Sequence, residues 1–159
     1  MDLRLAQARH RFGLASGDDL AAAALELAEG GSDNPTACEL ACLPRPTARD
    51  AGPLFERVLR ELAVPEISAA EAQRIVGADV GRAMVSGAVC PRNGFAEMEA
   101  LQEASDEPVP FWQFDMGAFY DGGAEDPDED AALWAEFDKA VVEAARRMLS
   151  LLSEEAGAH

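Results

Sequence analysis

Apolar side chains recur at three- and four-residue intervals along almost the whole chain, and each stretch ends at a serine, asparagine, glycine or proline. Helical side chains return to one face every 3.6 residues, whereas strand side chains do so every two. The pattern therefore commits the chain to amphipathic helices that must bury their stripes on one another. Leu3, Leu5, Ala6, Ala8 and Phe12 form a first stripe, closed by Gly13 or Gly17. Ser16 or Asp18 can cap a second helix carrying Leu20, Ala23, Ala24, Leu27 and Ala28, which Gly30-Gly31 stops. Asn34-Pro35 reads as a cap followed by proline in the first helical position, opening a short helix through Leu40 to Leu43. Pro44-Arg45-Pro46 predicts an extended turn.

Leu54, Phe55, Val58, Leu59 and Leu62 mark a fourth helix that ends before Pro65. Ser68 and Glu71 have the spacing of a capping box, ahead of a stripe running from Ala72 through Met84 to Ser86-Gly87. Pro91 opens a helix through Phe95, Met98 and Leu101. The last helix starts near Asp126–Asp130, where carboxylates suit the positive end of the helix dipole, and its stripe runs from Leu133 and Trp134 to Leu152. The best strand candidate, Val85–Val89, is broken by Gly87. The expectation is an all-α single domain over residues 1–159, with seven or eight short helices arranged as a helical bundle or as HEAT-like αα-hairpins. The C-terminal helix is expected to be longer than the rest, with residues 154–159 as a frayed tail.

A 159-residue chain with 48% apolar residues is large enough to bury a core without disulfides or metals. No apolar run reaches the roughly 20 residues of a membrane span, and Met1-Asp2-Leu3-Arg4 lacks the apolar core of a signal peptide, so a cytoplasmic protein is expected. Cys38 and Cys42 share a helical face, and the only histidines are His10 and His159. Two buried, apolar-like thiols fit better than a zinc site, which needs a second pair of ligands.

The net charge of −17 is uneven. Residues 1–80 hold 8 basic and 13 acidic side chains, net −5; residues 81–159 hold 5 and 17, net −12. From Asn93 to Asp138 every charged residue is acidic, and most of the aromatic residues lie there, five of them within Phe111–Tyr120. Such a field repels nucleic acid and anionic lipid and steers basic proteins inward. A chain with twelve arginines and a single lysine, Lys139, is also one whose acidity could serve solubility alone.

From Leu54 onward the order of features resembles a family of small, acidic, all-helical bacterial proteins of the actinobacterial type. The shared elements are Leu54-Phe55-Glu56-Arg57-Val58-Leu59, Leu62-Ala63-Val64-Pro65, and the junction Met84-Val85-Ser86-Gly87 followed by Pro91 and Gly94. The family junction reads Ile-Val-Ser-Gly, three residues, Pro, two residues, Gly. The resemblance covers about Leu54–Leu152, and Cys90-Pro91-Arg92-Asn93 departs from the acidic or aromatic residues expected around that proline. That family is uncharacterised, so the resemblance implies a helical fold and, by analogy with small acidic immunity proteins, a binding role. Physically, Gly87 can end one helix in the left-handed region, Pro91 can start the next, and Gly94 can let helices approach.

No catalytic pattern accompanies this. His10 lies between Arg9 and Arg11, no motif pairs it with a cysteine, and neither Gly30-Gly31 nor Gly122-Gly123 has the context of a phosphate loop. Asp126, Asp128 and Asp130 alternate as in a calcium loop, but Ala131 and Phe137 stand where its glycine and glutamate belong. No enzyme activity, cofactor or metal is expected. Phe111, Phe114 and Phe119 are expected in the core, whereas Trp112 and Tyr120, which have polar tips, suit an interface beside Asp115, Asp121, Asp126, Asp128 and Asp130. Those residues are the candidate surface of a non-enzymatic module that binds a basic protein partner. The alternatives are a homodimeric scaffold or regulatory domain using an apolar groove and, further off, a carboxylate metal enzyme.

Overall fold

The computed structural model of the chain describes residues 2–114 and 127–157 and, within the last helix, the side chains of residues 131–154. The fold is all-α. Seven helices are present among the described residues: α1 (Leu3–Arg11), α2 (Gly17–Glu29), α3 (Pro35–Ala41), α4 (Ala48–Glu61), α5 (Ala69–Ser86), α6 (Pro91–Glu103) and α7 (Pro127–Gly157). No strand occurs among those residues, and no helix is long and apolar enough to cross a membrane. The C-terminal helix is the longest, at 31 residues, and its backbone stays helical to Gly157.

The helix ends follow the capping chemistry. Ser16 accepts from the Asp19 amide while Asp19 accepts from the Ser16 amide, closing a full capping box at α2. Asn34 caps α3 through the Ala37 amide at 2.8 Å with Pro35 in the first turn, and Thr47 caps α4. α4 reaches back to Ala48, through Pro53, well ahead of its first apolar stripe residue, Leu54. The glycine preceding that proline has no Cβ to clash with the pyrrolidine ring, which helps the helix continue. Ser68 accepts from the Glu71 amide as expected, but the Glu71 carboxylate engages the Arg4 guanidinium, tying the first turn of α5 to α1.

The contacts gather the chain into two compact units, Met1–Val76 and Gly77–His159, and α5 runs through the boundary. In the first unit α2 packs on α3 and α4, α3 on α4, and α1 on α2. Leu20, Leu40, Phe55 and Val58 are fully buried there, among alanines that let the helices approach closely. Gly17, the first residue of α2, lies against the Pro46 carbonyl: a Cβ there would stand 2.1 Å from that oxygen. In the second unit α6 packs on α7, and Met84, Met98, Leu101, Val141 and Met148 form the interior. Gly77 and Gly81 face Phe111 and Met148, and Gly94 faces Met84, so small residues set how closely these elements pack. Gly87, at φ +76, ends α5 in the left-handed region.

Candidate functional site

In the second unit, α6 leads into a turn that folds back on it. The Ser105 hydroxyl donates to the Leu101 carbonyl at 2.6 Å, and the Val109 amide donates to Gln102 Oε1 at 3.1 Å. These bonds carry Val109, Phe111 and Trp112 inward, to 2%, 8% and 8% exposure. Trp112 stacks on Phe114 with ring centroids 6.1 Å apart, while Phe95, Phe114 and Phe137 meet edge to face at 5.3–5.5 Å. Such pairs add about 0.5–1.5 kcal/mol each beyond the area they bury. Phe111 is accordingly a core residue, and Phe114 is half-buried in the aromatic cluster.

The expected anchor Trp112 is thus packed inside its unit, and its Nε1 is buried without a hydrogen-bond partner among the described residues. The exposed indole there belongs to Trp134, at 44%. The Arg92 guanidinium lies 4.5 Å over the Trp134 ring and also reaches both oxygens of Asp138, at 3.2 and 3.4 Å. Trp134 sits on the stripe side of α7, so the sequence period placed it correctly but did not reveal its exposure. Asp115, Tyr120, Asp121, Asp126 and Phe119 lie outside the described residues, and of Asp128 and Asp130 only the helical backbone is described. Glu99, Glu103, Asp106 and Glu107 are exposed along α6 and the turn after it, as are Glu136 and Glu143 on α7.

The thiols correct another expectation. Cys38 and Cys42 are exposed, because α3 buries Thr36, Ala37 and Leu40 and turns its cysteines outward; Cys90, at the N-cap of α6, is exposed as well. Among the described residues no group of three or more histidine, cysteine or acidic side chains is placed to hold a metal ion.

The first unit carries an arrangement with no motif behind it. His10 Nε2 pairs with Glu56 at 3.3 Å, and the imidazole meets Phe55 edge to face with centroids 5.5 Å apart. A Cβ on Gly52 would lie 3.2 Å from the His10 ring. His10 therefore lies across one turn of α4, touching residues at positions i, i+3 and i+4. The pair borders an open cleft of about 670 Å³ between the C-terminal halves of α1 and α4 and the segment that follows α4. The one sequence signal for this was the presence of His10 and Arg11 in the last turn of α1, which reads first as compensation of the helix dipole.

Comparison with known proteins gives no relative: no family model matches the chain, and neither a curated protein nor a solved structure matches it.

Proposed function

We propose that the chain is a non-enzymatic interaction module that binds a basic protein partner through its second unit, as an immunity or inhibitor-type protein does. One observation carries this reading. Every charged residue from Asn93 to Asp138 is acidic, and Glu99, Glu103, Asp106 and Glu107 of α6 and its following turn stand exposed. An exposed aromatic, Trp134, lies in the same unit and supplies the kind of anchor around which interface energy concentrates. Long-range attraction would speed encounter, and short-range burial of the indole would hold the complex.

Charge steering of this kind is screened beyond a Debye length of about 8 Å at physiological ionic strength. The test is capture from the host's extract on immobilised protein, at low and at high salt. A basic protein retained at low salt and released at high salt is the expected result. Retention that is equal at both salts, or no retention at either, would contradict the proposal.

A further inference from the structure

Cysteine is among the side chains most often fully buried, so two exposed on one helix face are not explained by packing. Cys38 and Cys42 both stand exposed on α3, on the side away from the buried Thr36, Ala37 and Leu40. The buried side packs on α2 and α4, and the Asn34 cap with Pro35 fixes where the helix starts. The turn that joins the thiols is closed by the backbone. The Cys38 amide donates to the Asn34 carbonyl at 3.1 Å, and the Cys42 amide to the Cys38 carbonyl at 3.2 Å. The two side chains are therefore held one helical turn apart on a helix packed into its unit.

That spacing decides what the pair can do. Side chains four apart on a helix have Cβ atoms about 5–6 Å from each other. A disulfide needs about 3.5–4.5 Å, so closing one would distort α3. A metal ion between the sulfurs removes the difficulty. With metal–sulfur bonds of about 2.3 Å it spans up to about 4.6 Å from sulfur to sulfur, against about 2.05 Å in a disulfide. Among the described residues no third histidine, cysteine or acidic side chain is placed to join the two thiols. Of the species that thiolates select, structural zinc and iron–sulfur clusters take four ligands, which leaves Cu(I) for a site of two.

We propose that Cys38 and Cys42 bind one Cu(I) ion as a two-coordinate bis-thiolate on the outer face of α3. Each thiol gives up its proton to the solvent on binding, and the copper stays Cu(I), so no electron moves. The helix supplies the selectivity for a paired site, because the two sulfurs are presented together before the ion arrives and little order has to be gained on binding. Cys90, at the N-cap of α6, offers a single thiol and serves as the internal control.

The test titrates Cu(I), buffered by the chelator bicinchoninate in the absence of air and of thiol reductants, into the full chain. The chain is expected to withdraw one ion per molecule from the chelator, with X-ray absorption reporting two sulfur ligands. Cys38→Ser and Cys42→Ser should each weaken binding by at least about tenfold while circular dichroism stays that of the parent. Cys90→Ser should bind as the parent does. The paired change Cys42→Ser and Glu39→Cys keeps the number of thiols but sets two of them on adjacent residues, whose side chains do not face each other on a helix, so it should bind as weakly as the single variants. The proposal is overturned by a chain that takes no copper from the chelator, by one ion shared between two chains, by a loss of binding in Cys90→Ser, or by a rearranged pair that binds as the parent does.

Discussion

Replacing Gly17 by alanine tests how the first unit is held together. The added Cβ would stand 2.1 Å from the Pro46 oxygen, 2.5 Å from the Pro46 carbonyl carbon and 2.6 Å from the Thr47 carbonyl carbon. All three are backbone atoms, and Thr47 is also the cap of α4, so relief requires moving α2 away from the N-terminus of α4. Overpacking of this kind costs about 1–3 kcal/mol, and the clash is with backbone, which argues for the upper half of that range or beyond. Alanine gains up to about 1 kcal/mol over glycine in a helix, less at the first position, where half the turn is fixed by the cap. The net expectation is a loss of about 2 kcal/mol, or a fall in Tm of about 4–8 °C for a chain of this length. Gly81→Ala is the matched control. Its Cβ would stand 2.6 Å from Met148 Cε, the far end of a flexible side chain, so relief and helix propensity should nearly cancel, within about 1 kcal/mol. Urea denaturation of the two variants beside the parent measures both. The reasoning fails if Gly17→Ala unfolds with the parent, or if Gly81→Ala costs as much as Gly17→Ala.

Ala63 ends α4 at φ +51, a position that favours glycine, so Ala63→Gly should raise stability by about 0.5–1 kcal/mol in the same denaturation assay, although it adds a glycine to the chain. Glu61 accepts from Arg57 at 2.7 Å and from Asn34 at 3.1 Å; the Arg57 bond above all, then those from Thr36 and Asn34, hold its carboxyl below its ordinary value. A depressed folded value gives stability that is present above the unfolded carboxylate range and lost as pH falls through the folded value. The stability difference between the parent and Glu61→Gln should therefore be largest near neutrality and shrink on acidification below about pH 4, measured by unfolding at a series of pH values. All three thiols should react with a disulfide reagent in the native protein without denaturant, and a thiol that reacts only after unfolding would contradict the outward placement of Cys38, Cys42 or Cys90.

The helices were legible because their signals are local. Ser16, Asn34-Pro35, Gly87 and Pro91 each act within one turn, and each sits where its chemistry requires, whereas the part of Asp19 in the Ser16 cap emerges only in the structure. Facing was less legible. Spacing of four shows that Cys38 and Cys42 share a side of α3, but which side is buried depends on α2 and α4, which pack against Thr36, Ala37 and Leu40. Trp134 lies on the stripe of α7 in line with Val141 and Met148, yet among the described residues it stays 44% exposed, with Arg92 over its ring and Phe137 at its edge. The cleft was invisible because its groups come from residues 7 to 67, and neither the buried Gln7 amide nor the Schellman turn at Ala63 leaves a motif.

The central claim is that the acidic surface of the second unit, and not net charge as such, holds a basic partner. The most direct measurement compares two triple variants of equal charge change against the partner captured at low salt. One carries Glu99→Lys, Glu103→Lys and Asp106→Lys in the second unit, and the other Glu29→Lys, Asp33→Lys and Glu39→Lys in the first, all at exposed positions. The account predicts that the first loses affinity by at least about tenfold, mostly through slower association, while the second stays within about threefold of the parent. Equal losses in both, or none in the first, would contradict it.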